Sequence, residues 1–256
     1  MKNTTDIKGR VFKGISASSH QFLLSIFIQL TTIPFFINFW GVSLFGEWII
    51  ISSVASYLSF SNFGVTDASS SEMTMLVAKK NQTKALSIFH LSWVFITVFS
   101  FLGAITIYLL IYLFVNPSSI GILLISEEQF FLMVLLFLLY TFISLQISII
   151  SSCYKCVGKF PRLLNVMNCF RALEFLGALV LIFFGLQPIE VVSYYLIVKV
   201  MHFIFIRFDV ASIVPWFSYA YSNFKYKNLS GLIKPSFASG CFAVGNFLIN
   251  QVPIKC

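Results

Sequence analysis

The chain has 256 residues, of which 58% are hydrophobic and only 10% charged, and its mean hydropathy is +0.91. A soluble domain is about 45–50% apolar and about 25% charged, so this chain has too few polar atoms to cover a water-facing surface. That excludes an ordinary cytosolic enzyme, a secreted disulfide scaffold and a disordered chain, and leaves an integral membrane protein.

The predicted fold class is all-α, a polytopic membrane helix bundle with one six-helix lobe and the start of a seventh helix. A helical span needs about 20 apolar residues. In chain order the apolar runs cover 15–38, with Pro34 kinking the far end, then 45–65, 86–115, 130–152, 163–185 and 189–208. A seventh run starts near Ser236 and reaches Cys256. Barrel strands would alternate apolar and polar residues, whereas the run from Phe131 to Tyr140 does not alternate. Three segments follow: 1–208 as an N-terminal six-helix lobe, 209–235 as a cytoplasmic interfacial connector, and 236–256 as an incomplete first helix of a second lobe. The stretch from Thr66 to Lys84 has acids early and lysines late, which suits a short interfacial helix.

Charge orients the spans. Lys2, Lys8, Arg10 and Lys13 precede the first, Lys79, Lys80 and Lys84 follow the second, Lys155, Lys159 and Arg162 follow the fourth, and Arg207, Lys225, Lys227 and Lys234 follow the sixth. The opposite loops carry only acids, namely Glu47, Glu127, Glu128 and Glu190. The positive-inside rule then predicts a cytoplasmic N-terminus in a multi-pass inner (plasma) membrane protein. The net charge of +8 is explained by topology and anionic lipid, and no nucleic-acid partner is expected. Trp40, Trp48, Trp216 and Tyr219 lie near span ends, as interfacial aromatics do. The first stretch lacks a clear small-x-small cleavage site and is read as a retained helix.

Polar side chains inside spans usually face other helices or a water-filled cavity. Ser18, Gln21, Ser25, Gln29 and Thr32 share one face of the first run, Ser52, Ser56 and Ser59 one face of the second, and Thr141, Ser144, Ser148 and Ser151 one face of the fourth. Close packing by small and hydroxyl residues explains the Ser and Thr stripes, while the bulkier Gln21 and Gln29 point to a cavity or a hydrogen-bonded interface. Lys199 lies roughly 15 Å into the sixth run, with Tyr195 and His202 on the same face. Arg171 and Glu174 are i, i+3 neighbours and are expected to pair. Lys199 either faces a cavity or meets a carboxylate on a neighbouring helix, for which Glu174 is the candidate. His20 reads as a packed or interfacial histidine.

Chemistry-bearing motifs are sparse. Cys153 and Cys156 form a single CxxC with no second pair and no histidine cluster, so they read as free thiols, and no metal site is expected. No P-loop, GxSxG or HExxH occurs. The chain therefore reads as a non-enzyme without a cofactor. Glycan-acceptor patterns at Asn3, Asn81 and Asn228 fall on the predicted cytoplasmic side.

The stretch from Phe45 to Val65 opens on Gly46 and Trp48, continues through the pair Tyr57-Leu58 and closes at Gly64. It resembles the second span of polysaccharide exporters of the O-antigen flippase (Wzx) type, within the multidrug/oligosaccharidyl-lipid/polysaccharide exporter superfamily. Those proteins carry an acid where this chain has Asn62. The segment Asn246 to Pro253 is similar to the span that opens their second lobe. The resemblance implies two six-helix bundles, of which this chain would hold one and the beginning of the next, as a truncated form. It also implies a cargo, a polyprenyl-diphosphate-linked oligosaccharide such as an O-antigen repeat unit of lipopolysaccharide, flipped across the inner membrane by alternating access. Membrane lipids, and a polysaccharide polymerase with its chain-length regulator, would be partners. On that reading the cavity candidates are Lys199, Arg171, His202, Tyr195, Gln21 and Gln29, with Glu174 and His202 as coupling candidates. The buried cations would compensate the diphosphate, an expectation that fails for Lys199 if it is closed in a pair with Glu174. Rival classes are a multidrug or ion antiporter of the related fold and a membrane-embedded polysaccharide polymerase.

Overall fold

The computed structural model describes residues 4–62, 64–214 and 216–217. The described residues are helical throughout, with no strand: α1 (Thr4–Leu58), α2 (Val65–Ala78), α3 (Gln82–Phe114), α4 (Glu127–Cys156), α5 (Phe160–Phe183) and α6 (Pro188–Ile213). Among the described residues, five helices are long and apolar enough to cross a membrane: Ser18–Leu58 of α1, then α3, α4, α5 and α6. The protein is a multi-pass membrane protein with an all-helical bundle fold. Lipid-compatible side chains such as Phe22, Leu30, Leu113 and Phe184 are exposed on it. The seventh run and residues 215 and 218–235 of the expected connector lie outside the described residues. α6 continues through Asp209 to Ile213, so the helix outlasts the boundary expected at 208.

The 41 residues of Ser18–Leu58 would reach about 60 Å as one straight helix, twice the hydrocarbon thickness. The chain leaves helical geometry at Gly41, with φ 77° and ψ 165°, rather than at Pro34. Ring contacts across that break show the two arms lying side by side. Phe36 meets Phe45 at 5.6 Å and Trp48 at 6.2 Å, and Trp40 meets Trp48 at 5.4 Å. Residues 36 and 48 would be about 18 Å apart along a straight helix. The first two predicted runs are thus the arms of a hairpin turned on one residue. Only glycine readily adopts this backbone conformation. Gly41→Ala should therefore cost about 1–3 kcal/mol, read as a lower Tm of the purified protein in detergent. Because a Cβ at 41 meets no atom within 4 Å, an unchanged Tm would show that the turn is unstrained.

The chain forms two compact units. The first is built from Met1–Ala55, Tyr108–Tyr140 and Lys159–His202, the second from Ser56–Ile107, Thr141–Gly158 and Phe203–Cys256. In the first unit, Phe36, Trp48, Phe130, Met133, Phe137 and Ile182 are buried. α5 and α6 meet closely where the Tyr194 ring lies over Gly177 and its hydroxyl donates to the Leu173 carbonyl at 2.8 Å. In the second unit, Ile88, Phe89, Ile149, Cys153 and Tyr154 are fully or almost fully buried. Buried polar groups there pair with one another: Ser69 with Ser92, and the Tyr154 hydroxyl with the Asp209 carboxylate. The segment expected to be a short interfacial helix is α2, whose first turn carries Asp67. Asn62 Oδ1 accepts from both the Thr66 backbone N–H (3.1 Å) and its hydroxyl (2.8 Å) at the entry to α2.

Candidate functional site

The first unit gathers most of the charged candidates of the sequence. α5 carries Arg171 and Glu174 near mid-helix, and α6 carries Tyr195, Lys199 and His202 on one face. Lys199 Nζ lies 2.8 Å from Glu174 Oε1, and both side chains are only 13% exposed. The Tyr140 hydroxyl of α4 donates to Glu174 Oε2 at 3.2 Å, and the Lys199 ammonium sits 4.5 Å from the centre of the Tyr140 ring. Both carboxylate oxygens are thus engaged, and the ammonium gains a cation–π contact besides its ion pair. Tyr195 packs between Tyr140 (6.3 Å) and Trp48 (6.1 Å), and Trp48 meets Phe137 at 5.1 Å. Tyr140 is thus the ring in direct contact with the pair, and Tyr195, Trp48 and Phe137 continue an aromatic cluster from it. Low local polarity strengthens the attraction and raises the cost of separating the partners.

Two sequence expectations are corrected by this geometry. Lys199 does not present free positive charge, because Glu174 closes on it; the reading of Lys199 as a diphosphate contact therefore fails in this conformation. Arg171 does not pair with Glu174, despite the i, i+3 spacing. Its Nη1 donates instead to Ser25 Oγ of α1 at 2.7 Å, and Ser25 in turn donates to the Gln21 carbonyl at 2.8 Å. No carboxylate lies within ion-pair distance of Arg171 among the described residues, so its guanidinium keeps its charge and most of its five N–H donors.

The other candidates are placed less suggestively. His202 is buried (4% exposed) and stacks face to face on Phe170 at 4.3 Å, and neither ring nitrogen has a hydrogen-bond partner among the described residues. Gln21 is half-buried, while Gln29 and His20 are exposed. Four of the stripe hydroxyls bond their own helices: Ser25 to Gln21, Thr32 to Ile28, Ser52 to Ile49 and Ser151 to Ile147. Such back-bonding leaves small, satisfied surfaces suited to helix packing. Cys153 and Cys156 are free and buried.

Glu47, which charge counting assigns to an external loop, lies inside α1 and is 4% exposed, and Trp48 beside it is 7% exposed. Glu47 Oε1 accepts from the backbone N–H groups of Leu123 and Leu124, both at 2.9 Å, and Oε2 from that of Ile125 at 3.0 Å. One buried carboxylate therefore holds the segment that leads into α4. Its signal in the sequence is an acid directly before the apolar run from Trp48 to Ile51, where a charge must find donors. Gln146 of α4 was also missed, although a lone amide between Leu145 and Ile147 invites the same question.

No protein-family model matches the chain, and neither a curated protein nor a solved structure is significantly similar to it.

Proposed function

We propose that this chain is transport machinery of the flippase type, moving an anionic lipid-linked oligosaccharide (a polyprenyl-diphosphate saccharide) from the cytoplasmic to the outer leaflet of an inner membrane. The observation that carries the reading is Arg171, a cation about 17 Å along α5 from its start, held by the Ser25 hydroxyl and by no acid among the described residues. An uncompensated charge at that depth is costly, and an anion arriving there would relieve the cost with bidentate, charge-assisted hydrogen bonds. The resemblance around Gly46, Trp48 and Gly64 supports the cargo class, and the one-sided Lys and Arg distribution supports a cytoplasmic N-terminus.

The test is transport of a fluorescent polyprenyl-diphosphate saccharide in proteoliposomes containing the whole protein. Arg171→Gln should slow translocation at least tenfold, with Arg171→Lys intermediate because lysine keeps the charge and loses the planar fork. Unchanged translocation by Arg171→Gln at equal protein level would overturn the reading. A second reading, cation antiport, is favoured by Glu174, a membrane-embedded carboxylate that a cation reaches only by displacing Lys199. It predicts cation flux abolished by Glu174→Gln and indifferent to Arg171→Gln.

A further inference from the structure

A second candidate site lies in the other unit, independent of the cluster around Arg171. Trp93, Val94, Thr97 and Val98 of α3 and Phe142 and Gln146 of α4 line an open groove of about 260 Å³. Trp93 lies about 17 Å from the start of α3, and Gln146 about 15 Å from the end of α4, which places the groove at hydrocarbon depth. Val98 at its rim is 47% exposed, in line with the exposed Phe99, Phe101 and Leu102 that follow it. The mouth therefore opens where lipid-soluble molecules enter.

The polar content of the groove is one-sided. Gln146 is 6% exposed. Its Oε1 accepts from Trp93 Nε1 at 2.8 Å and lies 3.0 Å from the Thr97 hydroxyl. An indole N–H only donates, so the amide cannot be flipped without setting donor against donor. The orientation is fixed, and Nε2 is left buried with two N–H donors and no acceptor among the described residues. A buried amide donor without a partner is expensive in an apolar setting. A single water would fill only a fraction of the volume and would meet mostly hydrocarbon walls.

The occupant is defined by subtraction. No charged side chain lines the groove, so phosphate and carboxylate are not its ligands. Nε2 needs an acceptor; a hydroxyl or an N–H amide could accept there but would also bring a donor that the engaged amide oxygen and the apolar walls leave unpaired, whereas a ketone or ester carbonyl only accepts. The volume lies just below the range of drug-sized sites, and two aromatic walls favour a flat or slender group. We propose that this groove binds a lipid-soluble carbonyl compound, its C=O oxygen accepting from Gln146 Nε2 and its apolar body lying between Trp93 and Phe142. Two membrane sources carry that chemistry: the ring carbonyl of a prenylated quinone and the ester carbonyl of a glycerolipid.

The experiment uses the whole chain in nanodiscs of ether-linked phosphatidylcholine, which contain no carbonyl. A prenylated benzoquinone is titrated in while tryptophan fluorescence is followed, with Trp93→Phe isolating the Trp93 contribution. Saturable quenching that Trp93→Phe largely removes is expected. Val98→Phe, which fills the groove from its exposed rim and leaves Gln146 untouched, should raise the half-saturating quinone at least tenfold. Gln146→Leu should do the same by removing the donor. Repeating the titration in diester nanodiscs separates the sources: a tenfold weaker apparent affinity identifies the glycerolipid ester as a competing occupant, and an unchanged one identifies the quinone-like carbonyl. Quenching that never saturates, or that is identical in wild type and Val98→Phe, overturns the site. Undiminished affinity in folded Gln146→Leu overturns the carbonyl contact.

Discussion

Lys199→Ala is expected to damage the protein more alone than in combination with Glu174→Ala. Removing the lysine leaves a largely buried carboxylate beside an aromatic cluster, with the Tyr140 hydroxyl at 3.2 Å as its remaining hydrogen-bond donor among the described residues. Breaking a buried pair from one side typically costs about 3–5 kcal/mol, mostly the penalty of the stranded partner. Glu174→Ala strands the ammonium in the same way, softened by its contact with the Tyr140 ring, 4.5 Å away. The double substitution strands nothing and should recover much of the loss. Thermal unfolding of the four proteins in one detergent gives the cycle. A coupling of at least about 1 kcal/mol marks neighbours acting as a unit. Additive losses would show that the 2.8 Å contact does not persist in the membrane protein as purified. The same cycle bears on the proposed transport, since the pair that holds α5 to α6 must open for an anion to reach Lys199 or a cation to reach Glu174.

Glu47→Ala should be comparably severe for a different reason. The carboxylate satisfies three consecutive backbone N–H groups, those of Leu123, Leu124 and Ile125, all ahead of α4. A hydrogen bond to a charged group contributes about 1.5–3 kcal/mol, and each donor left unmet in a buried setting costs about 1–3 kcal/mol. Some of the three would regain water once the segment loosened, so a net loss of about 3–5 kcal/mol is expected. Glu47→Gln should fall between. Its amide keeps one accepting oxygen for two of the donors and turns an NH₂ toward the third. Besides a lower Tm, faster amide exchange confined to the segment from Gly121 to Ser126 is the specific readout. A Tm drop without local exchange would instead implicate the packing of α1.

The helices were legible because apolar runs of membrane length can satisfy their backbone only as helices. All six runs from 15 to 208 correspond to helical segments, and α2 appears where acids precede lysines. What the spacing did not reveal was rotation of one helix against another. Spacing puts Tyr195, Lys199 and His202 on one face of α6 and leaves Lys199 two settings, a cavity or the Glu174 carboxylate, of which the structure shows the second. Helical spacing favoured Arg171 with Glu174, whereas tertiary packing sends Glu174 to Lys199 and Arg171 to Ser25. Glu47 was placed in an exposed loop because charge counting along a sequence treats any acid at a span end as solvated. Its three partners lie 76 to 78 residues away, beyond any local pattern. Asn62 illustrates the converse. The exporters that this stretch resembles carry an acid there, and here the position serves as an acceptor for Thr66, a task an amide oxygen performs as well as a carboxylate.

The one-residue turn at Gly41 also constrains biogenesis. Two apolar arms with no hydrophilic stretch between them offer nothing for the insertion apparatus to carry across separately. They must be released into the bilayer as one object, and inverting one arm would require inverting the other. An epitope or protease sequence spliced between Trp40 and Val42 would therefore not report on sidedness, since it would prise apart the first structure the nascent chain makes.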